Sequence, residues 1–468
     1  MIRKLICQGA NIFRLNFSHV NDKHDEFKQR IQTIRQIAQE EQRNIAILGD
    51  LQGPKIRTGK VKDGTVIKKG DILKITTGES IEGDEHMVST TYRDMSKDVK
   101  PGDRILIDDG LLEVQVKSVD GNIISCEVTH GGQLKSNKGM NLPNVALSTP
   151  ALTEKDEFDL RFAVENNLDF IALSFVRNAE DIGKINKIIR RLNSDIAVIA
   201  KIEKPEAVNE SAINAIIEAS YGIMVARGDL GVEMETAEVP VIQKKIVQKC
   251  NNEGKPVIIA TQMLDSMQAN PRPTRAEAND VANAVLDGAD CVMLSGETAS
   301  GKFPEESVKT MREIIELVEK KINHEKWQDE SDPIKFRNFT NESTKLICRA
   351  AVRIAKDMQA KLILCVTHSG GTARQLSKYR PGIPIIAITD EDKIVRRLAL
   401  SWGIRAYKLP VIINSPVFFK GLQEILSEKL KVEDGSTVII TGGLPDFKEK
   451  TTNMLKIHTH NKESGIIS

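Results

Sequence analysis

Several features that mark specialised classes of protein are scarce in this chain. Positive charge is not in marked excess, because the 66 lysines and arginines are balanced by 65 aspartates and glutamates among the 468 residues. This balance argues against a basic field for nucleic acid or an anionic membrane surface. No apolar run approaches the roughly 18 residues of a membrane span, and Gln8, Gly9 and Asn11 interrupt any signal-peptide core near the start. We therefore expect a soluble, cytoplasmic protein that binds neither nucleic acid nor membrane.

Cysteine is also sparse and follows no pattern. The six cysteines are scattered without paired spacing, and no Cys/His cluster suggests zinc. Such cysteines are typical of reduced core residues in a cytosolic protein. The remaining composition, with 40% hydrophobic, 28% charged and 4% aromatic residues, is that of an ordinary globular protein. The length predicts about three domains.

Strand-like and helix-like segments alternate over much of the chain, which is typical of a parallel sheet with helices on its faces. A (β/α)8 barrel needs eight strands, and the chain starts in a helix, Ile2 to Gln8, that should follow the first of them. We therefore predict a (β/α)8 TIM-type barrel that lacks its first strand; a strand missed by the segmentation is the alternative. The predicted barrel strands are 12–17, 45–48, 169–175, 196–202, 222–227, 256–261 and 290–295.

Two further units accompany the predicted barrel. Between 54 and 147, short β-branched runs alternate with turn dipeptides such as Asp63-Gly64, which predicts a small β-barrel lid inserted after a barrel strand. A polar segment, 324–341, predicts a linker to a C-terminal α/β unit. That unit has a helix at 344–358 and strands at 361–366, 384–388 and 437–441. The predicted domains are therefore 1–53 with 148–323 for the barrel, 54–147 for the lid and 324–468 for the C-terminal α/β domain.

Charged side chains follow two neighbouring barrel strands. Lys201 and Glu203 are two residues apart, so they project from the same side of a strand, and Asp229 lies just past the next strand. Barrel enzymes keep their catalytic residues at the carboxyl ends of the strands. Glu203 and Asp229 are hard oxygen ligands suited to Mg²⁺. Either carboxylate alone would be taken for a surface residue, but the pair beside a lysine predicts a functional site.

Nine motifs in the chain resemble, in order, those of the pyruvate kinase family. They are LNFSH (15–19), GDLQGPKIRTG (49–59), KGMNLP (138–143), LTEKD (152–156), AKIEK (200–204), MVARGDLG (224–231), ATQML (260–264), PRPTRAEANDVANAVLDGAD (271–290) and MLSGETASG (293–301). The resemblance covers the whole chain. It implies a central barrel, a small β lid, a C-terminal regulatory domain and a homotetramer. The implied reaction is the last step of glycolysis, in which the phosphoryl group of phosphoenolpyruvate passes to ADP and gives pyruvate and ATP.

The same resemblance implies roles for individual residues. Lys201 would neutralise the phosphoryl group and the enolate, Arg14 would contact the substrate, and Thr261 would lie near the route that protonates the enolate carbon. From the residues alone, Thr261 could equally cap the next helix, and a lone histidine is more often structural. The implied sets are Arg14, Lys201, Gly228, Asp229 and Thr261 for the substrate, Asn16, His19, Arg57 and Lys138 for the nucleotide, and Glu203 and Asp229 for Mg²⁺ or alternatively Mn²⁺.

One segment departs from the family in a way that concerns potassium. Most members hold K⁺ with the counterparts of Asn16, Ser18, Asp50 and the Leu51 carbonyl, and carry Glu where this chain has Lys55. An ammonium at that position can supply the positive charge that K⁺ otherwise brings. We therefore expect that K⁺ is not required. The alternative is that Lys55 is a solvated residue at the lid hinge.

A loop in the C-terminal unit predicts an anion site. Residues 367–372, THSGGT, follow a predicted strand and open a helix, where backbone amides and hydroxyls can bind a phosphate. The resemblance implies a phosphorylated allosteric effector there. A later loop, GGLPDFKEKTTN, has no clear arginine for a second phosphate, so we expect a sugar monophosphate or nucleotide monophosphate. The effector positions are Thr367, Ser369, Gly370, Gly371 and Thr372.

Two alternatives to the kinase stay open at this point. A magnesium-dependent aldolase or lyase on the same barrel would also use Glu and Asp, but would not need the lid or the 367–372 loop. The other alternative is an inactive, truncated paralogue or fragment that acts through binding or oligomerisation. It is suggested by the absence of the strand and TLGP-like loop with which family members begin.

Overall fold

The computed structural model describes residues 1–19, 24–143, 145, 147–322, 339–410, 416–443 and 451–461. The strands are β1 (Ile12–Asn16), β2 (Ala46–Asp50), β3 (Val66–Ile67), β4 (Ile72–Thr76), β5 (Met87–Ser89), β6 (Arg104–Ile107), β7 (Leu112–Asp120), β8 (Ile123–His130), β9 (Gly132–Gln133), β10 (Met140–Asn141), β11 (Phe170–Leu173), β12 (Ala197–Ile202), β13 (Gly222–Ala226), β14 (Val257–Ala260), β15 (Cys291–Val292), β16 (Leu362–Val366), β17 (Ile385–Thr389), β18 (Ile404–Lys408), β19 (Thr437–Gly442) and β20 (Met454–Thr459).

The α-helices cover the faces of the sheets. They are α1 (Ile2–Gln8), α2 (Asp25–Glu40), α3 (Met95–Asp98), α4 (Glu154–Glu165), α5 (Ala179–Arg191), α6 (Glu210–Ala219), α7 (Arg227–Glu233), α8 (Val239–Glu253), α9 (Arg275–Asp287), α10 (Gly296–Ala299), α11 (Pro304–Glu319), α12 (Phe339–Asp357), α13 (Gly371–Lys378), α14 (Asp392–Arg397) and α15 (Pro416–Glu424). As predicted, α1 ends at Gln8, and Gly9, which follows it, has a φ of 117°. No helix in the described ranges is long and apolar enough to cross a membrane.

Seven parallel strands form one curled sheet in the order β1-β2-β11-β12-β13-β14-β15. All seven are strands that the sequence predicts. The predicted strand at 290–295 shortens to Cys291–Val292, and the others shift by a few residues at their ends. Alternate side chains face opposite sides of each strand. Leu48, Ile199 and Met224 therefore pack inside the curl, while neighbours such as Ile47 and Val225 pack against the helices.

The segment predicted to be a lid is rich in β-structure. A six-stranded sheet in the order β10-β6-β7-β8-β4-β5 and a two-stranded sheet, β3-β9, account for its strands. Its core consists of apolar side chains from these strands, including Leu73, Ile105 and Val114. The chain enters this module after β2 and returns to the barrel at α4. The module therefore follows the carboxyl end of a barrel strand.

The C-terminal unit is a five-stranded sheet in the order β18-β17-β16-β19-β20. The sequence predicts its three central strands but misses β18 and β20. Both lie at the edges of the sheet and carry charged or exposed residues, such as Arg405 and Ile457, so no continuous apolar run marks them. The predicted linker is also wrong at its end, because α12 already begins at Phe339. The remainder of that linker, 324–338, lies outside the described residues.

The C-terminal unit also reaches into the barrel. Leu400 is fully buried in the cluster inside the curled sheet, together with Phe170 and Ile199. Its carbonyl accepts a hydrogen bond from the Cys291 thiol at 3.6 Å, at the start of β15. Leu400 thus lies at the end of the sheet opposite the carboxyl ends of the strands. Arg380, paired with Asp290 at 3.1 Å, adds a buried ionic contact between the two units.

The cysteines are free, as the composition predicts, but they are not all core residues. Cys126, Cys250, Cys348 and Cys365 are buried, whereas Cys7 is exposed and Cys291 is half-buried. The expectation of six core cysteines was therefore wrong for Cys7, which lies on the outer side of a short surface helix, α1.

Candidate active site

The site is built on Lys201, near the end of β12. Its ammonium nitrogen lies 2.9 Å from Glu203 Oε1 and 3.3 Å from Asp50 Oδ1, and it donates a hydrogen bond of 2.7 Å to Ser174 Oγ. Glu203 and Asp50 are 1% exposed. The structure thus brings Lys201 and Glu203 together, as their spacing predicts. It adds Asp50 and Ser174, which the sequence reasoning did not connect to Lys201.

Strand alternation explains why these residues meet. Ile199, Leu48 and Phe170 face the inside of the curled sheet. Continuing that alternation to the strand ends places Lys201, Asp50 and Ser174 on the same inner side. Counting in twos from the apolar inward residues would therefore have found Asp50 and Ser174 from the sequence alone.

Arg14 joins the cluster from β1. Its Nε donates to Asp50 Oδ2 at 2.6 Å, so the buried Asp50 carboxylate lies between two cations. Asp50 Oδ1 accepts no hydrogen bond among the described residues, although it lies within ion-pair distance of Lys201. The family resemblance implies only a potassium position for Asp50, whereas the structure also places it in contact with Arg14 and Lys201.

The charges in this cluster shift one another's proton affinities. Burial lowers the pKa of Lys201, but the negative charges of Asp50, Glu203 and Asp229 outweigh it and leave that pKa above its ordinary value. For Asp50, burial raises the pKa, yet Lys201 and Arg14 hold it below the usual range. Burial raises the pKa of Glu203, and the opposing attraction of Lys201 does not offset it because Asp229 repels the charged form. Lys201 is therefore charged at neutral pH.

Asp229 lies in the first turn of α7, which follows β13. Lys55, at the root of the lid, places its ammonium nitrogen 3.5 Å from Asp229 Oδ1. Both side chains are about three-tenths exposed, at 28% and 29%. Lys55 is therefore not merely a solvated residue at the lid hinge, because its ammonium group contacts a carboxylate of the barrel. Lys55 faces Asp229, however, and no hydrogen bond or ion pair joins it to Asp50 in the described part of the chain.

Thr261 follows β14 and is held in a strained conformation, with a φ of 71°. Its hydroxyl accepts a 2.8 Å hydrogen bond from the amide of Gly228 and donates one of 2.6 Å to the carbonyl of Ala260. The helix it caps is therefore α7, on the neighbouring strand, and the expectation that it could cap its own next helix was wrong. A Cβ at position 228 would lie 3.3 Å from this hydroxyl.

Glu203 and Asp229 are the two carboxylates that could hold a divalent cation. Among the described residues, no group of three or more His, Cys, Asp or Glu side chains forms a metal cluster. Two protein carboxylates suffice for Mg²⁺, which keeps waters and binds substrate oxygens. Their mutual repulsion, which helps to raise the pKa of Glu203, would be relieved by a cation. The residues therefore fit a magnesium ion.

The groups assigned to potassium already have partners within the chain. Asn16 Oδ1 accepts from the amide of Ser18 at 3.1 Å, and the Leu51 carbonyl accepts from Ser174 Oγ at 2.8 Å. Asp50 is engaged by Arg14 and Lys201. Asp50 is therefore paired with two cations of the chain itself.

The nucleotide candidates are divided between the barrel and the lid. Asn16 ends β1, whereas Arg57 donates to the Asn137 carbonyl at 3.1 Å and Lys138 pairs with Asp108 at 2.8 Å, both within the lid. Neither Arg57 nor Lys138 forms an ion pair with the Lys201 cluster in the ranges that the structure covers. The side chain of His19 lies outside the described residues. The structure thus places these candidates on two units of the chain, the barrel and the lid.

The predicted effector loop opens α13, as expected. Gly370 has a φ of 78°, and Thr372 Oγ1 shares a 2.8 Å hydrogen bond with Thr452 Oγ1. Arg374 donates to the Ser369 carbonyl at 3.3 Å and contacts Tyr221 of the barrel. Thr367 lies in the loop between β16 and α13, and Gly371 is the first residue of α13. Most of the later loop, 444–450, is outside the described residues.

A curled parallel sheet with a β-rich insertion and a lysine among carboxylates at its strand ends defines a barrel enzyme that handles anionic substrates. Comparison with known proteins shows the family. Residues 1–308 match the family description "Pyruvate kinase, barrel domain", and residues 345–458 match "Pyruvate kinase, alpha/beta domain". The chain belongs to the pyruvate kinase family, and it is a phosphotransferase.

Individual relatives agree with the family match. Pyruvate kinases from Staphylococcus aureus strains MRSA252 and USA300 are each 43% identical over 469 aligned residues, covering 98% of this chain and 77% of theirs. The crystal structure of a pyruvate kinase from Cryptosporidium parvum is similar with a TM-score of 0.90 and 39% identity, covering 98% of this chain and 92% of that one. These matches favour neither the aldolase or lyase alternative nor the inactive paralogue.

Proposed function

We propose that the cluster around Lys201 transfers the phosphoryl group of phosphoenolpyruvate to ADP, giving pyruvate and ATP. Phosphoryl transfer asks a protein mainly for positioning and for neutralisation of charge. The observation that carries the proposal is the buried Lys201 ammonium, held by Asp50, Glu203 and Ser174 at the inner edge of the sheet. A cation fixed there meets incoming negative charge without having to reorganise.

Each residue has a distinct task in this proposal. Lys201 neutralises the transferring phosphoryl group and then the enolate that it leaves behind. Arg14, oriented by Asp50, binds the substrate through its remaining guanidinium N–H groups, since a planar fork suits phosphate and carboxylate oxygens. Gly228 leaves room beside Thr261, whose hydroxyl lies near the route by which the enolate carbon gains its proton.

Glu203 and Asp229 would hold Mg²⁺, with Mn²⁺ as an alternative. When bound, the ion supplies positive charge to the substrate carboxylate and phosphate. Phe175 supports this arrangement, because its backbone amide donates to Glu203 Oε2 at 2.7 Å and so aims the other oxygen. Oriented carboxylates of this kind bind metal more tightly than free ones.

The nucleotide would bind between barrel and lid, at Asn16, His19, Arg57 and Lys138. We place the domain boundaries at 1–53 and 148–323 for the catalytic barrel, 54–147 for the lid and 324–468 for the regulatory domain. The lid enters and leaves at the carboxyl end of the sheet. Closure of this unit would bring Arg57 and Lys138 toward phosphates bound at Lys201 and would exclude water.

Potassium is not required in this proposal, because Lys55 already contributes a positive charge next to Asp229. The family's potassium positions are Asn16, Ser18, Asp50 and Leu51, and the oxygens of Asn16, Asp50 and Leu51 already have partners within the chain, which supports the same conclusion. A phosphorylated effector at 367–372, a homotetrameric assembly and a cytoplasmic location complete the proposal. They rest on the resemblance to the family.

The test of the function is a coupled assay with lactate dehydrogenase, phosphoenolpyruvate, ADP and Mg²⁺. Lys201→Met should lower turnover on the order of 10²–10³-fold, because it removes one charge-stabilising group. Lys244→Met, which removes an exposed lysine from an ion pair with Asp287 on the outer helices, should leave turnover unchanged. A wild-type protein without turnover, or a Lys201→Met variant as active as the wild type, would contradict the proposal.

A further inference from the structure

A buried ion pair joins residues that lie close in the chain to the two carboxylates of the candidate metal site. Lys204 Nζ is 2.6 Å from Glu233 Oε1. Asn141 of the lid donates to the same oxygen at 2.7 Å. The three residues are 9%, 4% and 8% exposed, respectively. None of them belongs to the substrate, nucleotide or metal sets described above.

The position of this pair in the chain is what connects it to the site. Lys204 immediately follows Glu203, and Glu233 lies one helical turn after Asp229 in α7. Residues four apart lie on the same face of a helix. The ion pair therefore joins the backbone segment that carries Glu203 to the helix that carries Asp229, across the boundary between two barrel strands.

A second path from Lys204 leads to the same carboxylate. Its ammonium nitrogen lies 5.9 Å from the centre of the Phe175 ring, and the Phe175 amide donates to Glu203 Oε2. Phe175 has a φ of 54°, which an aromatic residue adopts only when its surroundings hold it there. Lys204 is one of the groups that surround it.

Stability alone does not account for the ion pair. Removing two opposite charges from water costs about as much as their attraction returns, so a buried pair is weak evidence for stability and is often replaceable by apolar residues. A buried pair can instead fix the relative position of the groups it joins. Here those groups support Glu203 and Asp229, two carboxylates that repel each other.

We propose that Lys204 and Glu233 are positioning residues that hold Glu203 and Asp229 at the separation needed for a divalent cation, with Asn141 linking the lid to the same point. This inference rests on the proposed function, because it assumes that Glu203 and Asp229 bind the metal. Lys204 and Glu233 act through the backbone of the metal carboxylates and do not touch the ion. Because of the lid contact, Lys204 and Asn141 of the lid meet at one buried oxygen atom, Glu233 Oε1.

The test measures metal binding without turnover. Metal-free protein is titrated with Mn²⁺ in the absence of phosphoenolpyruvate and ADP, and free Mn²⁺ is followed by its electron paramagnetic resonance signal. Lys204→Met and Glu233→Gln should each raise the Mn²⁺ dissociation constant roughly 10–100-fold, the usual cost of losing an outer-shell partner. Lys204→Arg keeps a cation and should lose less affinity than Lys204→Met.

Two further variants keep the result interpretable. Lys204→Met leaves Glu233 buried without a counter-charge and can fail to fold, so the double variant Lys204→Met/Glu233→Gln removes both charges and should fold yet still bind Mn²⁺ weakly. Arg35→Met is the matched control. It removes a cation from Asp169, a buried carboxylate 2.8 Å away before the start of β11, and should lower the melting temperature without changing Mn²⁺ affinity.

Wild-type affinity in Lys204→Met or in the double variant would overturn the inference. An equal loss of affinity in Arg35→Met would also overturn it, since the effect would then be general destabilisation. A wild-type protein that turns over but binds no Mn²⁺ would overturn the metal assignment and the positioning role together. Failure of the proposed function is a different result, namely a wild-type protein that shows no turnover in the coupled assay.

Discussion

Replacing Lys55 by methionine should give the enzyme a dependence on monovalent cation. The Lys55 ammonium is the nearest positive charge to Asp229 from the lid side, with 3.5 Å between the nitrogen and Oδ1. Methionine keeps most of the side-chain length but not the charge. The site would then lack one positive charge at the place where Asp229 and the substrate concentrate negative charge.

The size of the effect follows from the geometry. Two unit charges 3.5 Å apart interact by about 5 kcal/mol at an effective dielectric constant of about 20 and by about 1 kcal/mol in bulk water. Because the two side chains are 28% and 29% exposed, solvent screens the pair and the lower part of that range applies. A loss of about 1–2 kcal/mol of charge stabilisation corresponds to roughly a 10-fold loss of turnover.

The assay is the lactate dehydrogenase-coupled reaction in buffer free of sodium and potassium, repeated with added KCl. Wild-type turnover should be the same in both buffers, whereas Lys55→Met should be slow without K⁺ and recover part of its rate with it. Lys62→Met is the control, since it removes a lid lysine that pairs with Asp84 at 3.6 Å on the surface. Wild-type protein that is almost inactive until K⁺ is added would refute the reasoning, as would Lys55→Met with unchanged turnover in the K⁺-free buffer.

Three more predictions concern the Lys201 cluster. Glu203→Gln should lower turnover on the order of 10²–10³-fold. It should nevertheless raise the melting temperature in metal-free buffer, because the raised pKa of Glu203 means that the charged carboxylate is unfavourable in the folded protein. A lower melting temperature of the variant would contradict this prediction. For Asp50, the folded pKa is depressed, so its stabilising effect should be full above the ordinary carboxyl range and disappear as the pH falls through the folded value. Chemical unfolding of wild type and Asp50→Asn across that range measures it, and a difference that grows toward low pH would have the wrong sign. Thr261→Ser should retain the hydrogen bond from Gly228 and most of the turnover, whereas Thr261→Val leaves that amide without its acceptor and should cost about 1–3 kcal/mol of stability, a split that thermal unfolding can check.

The sequence predicts the parts of the site that depend on local pattern. Lys201 and Glu203 share a strand, and a two-residue spacing places them on one side of it without any knowledge of the rest of the molecule. The barrel strands follow for a similar reason, since each is a short apolar run. The edge strands β18 and β20 do not follow, because their exposed faces interrupt the apolar pattern that marks a buried strand.

Contacts between distant segments are the part that local pattern does not contain. Arg14 and Asp50 are 36 residues apart, and Lys204 and Glu233 are 29 apart. The sequence around each of these residues does not predict its partner, because the pairing depends on which strands become neighbours and in what register. Thr261 illustrates the same limit, since the residues alone left open a cap on the following helix, whereas its hydroxyl accepts from the Gly228 amide in α7, which follows the adjacent strand.

The position of Leu400 predicts how the protein unfolds. This side chain comes from the C-terminal unit but completes the apolar interior of the curled sheet, beside Phe170 and Ile199. Separation of the two units would leave a cavity in the apolar interior of the curled sheet and would expose apolar surface on both units. The catalytic and C-terminal units should therefore unfold together in one cooperative transition. Proteolytic cleavage between them should yield two aggregation-prone, protease-sensitive fragments rather than two independent domains.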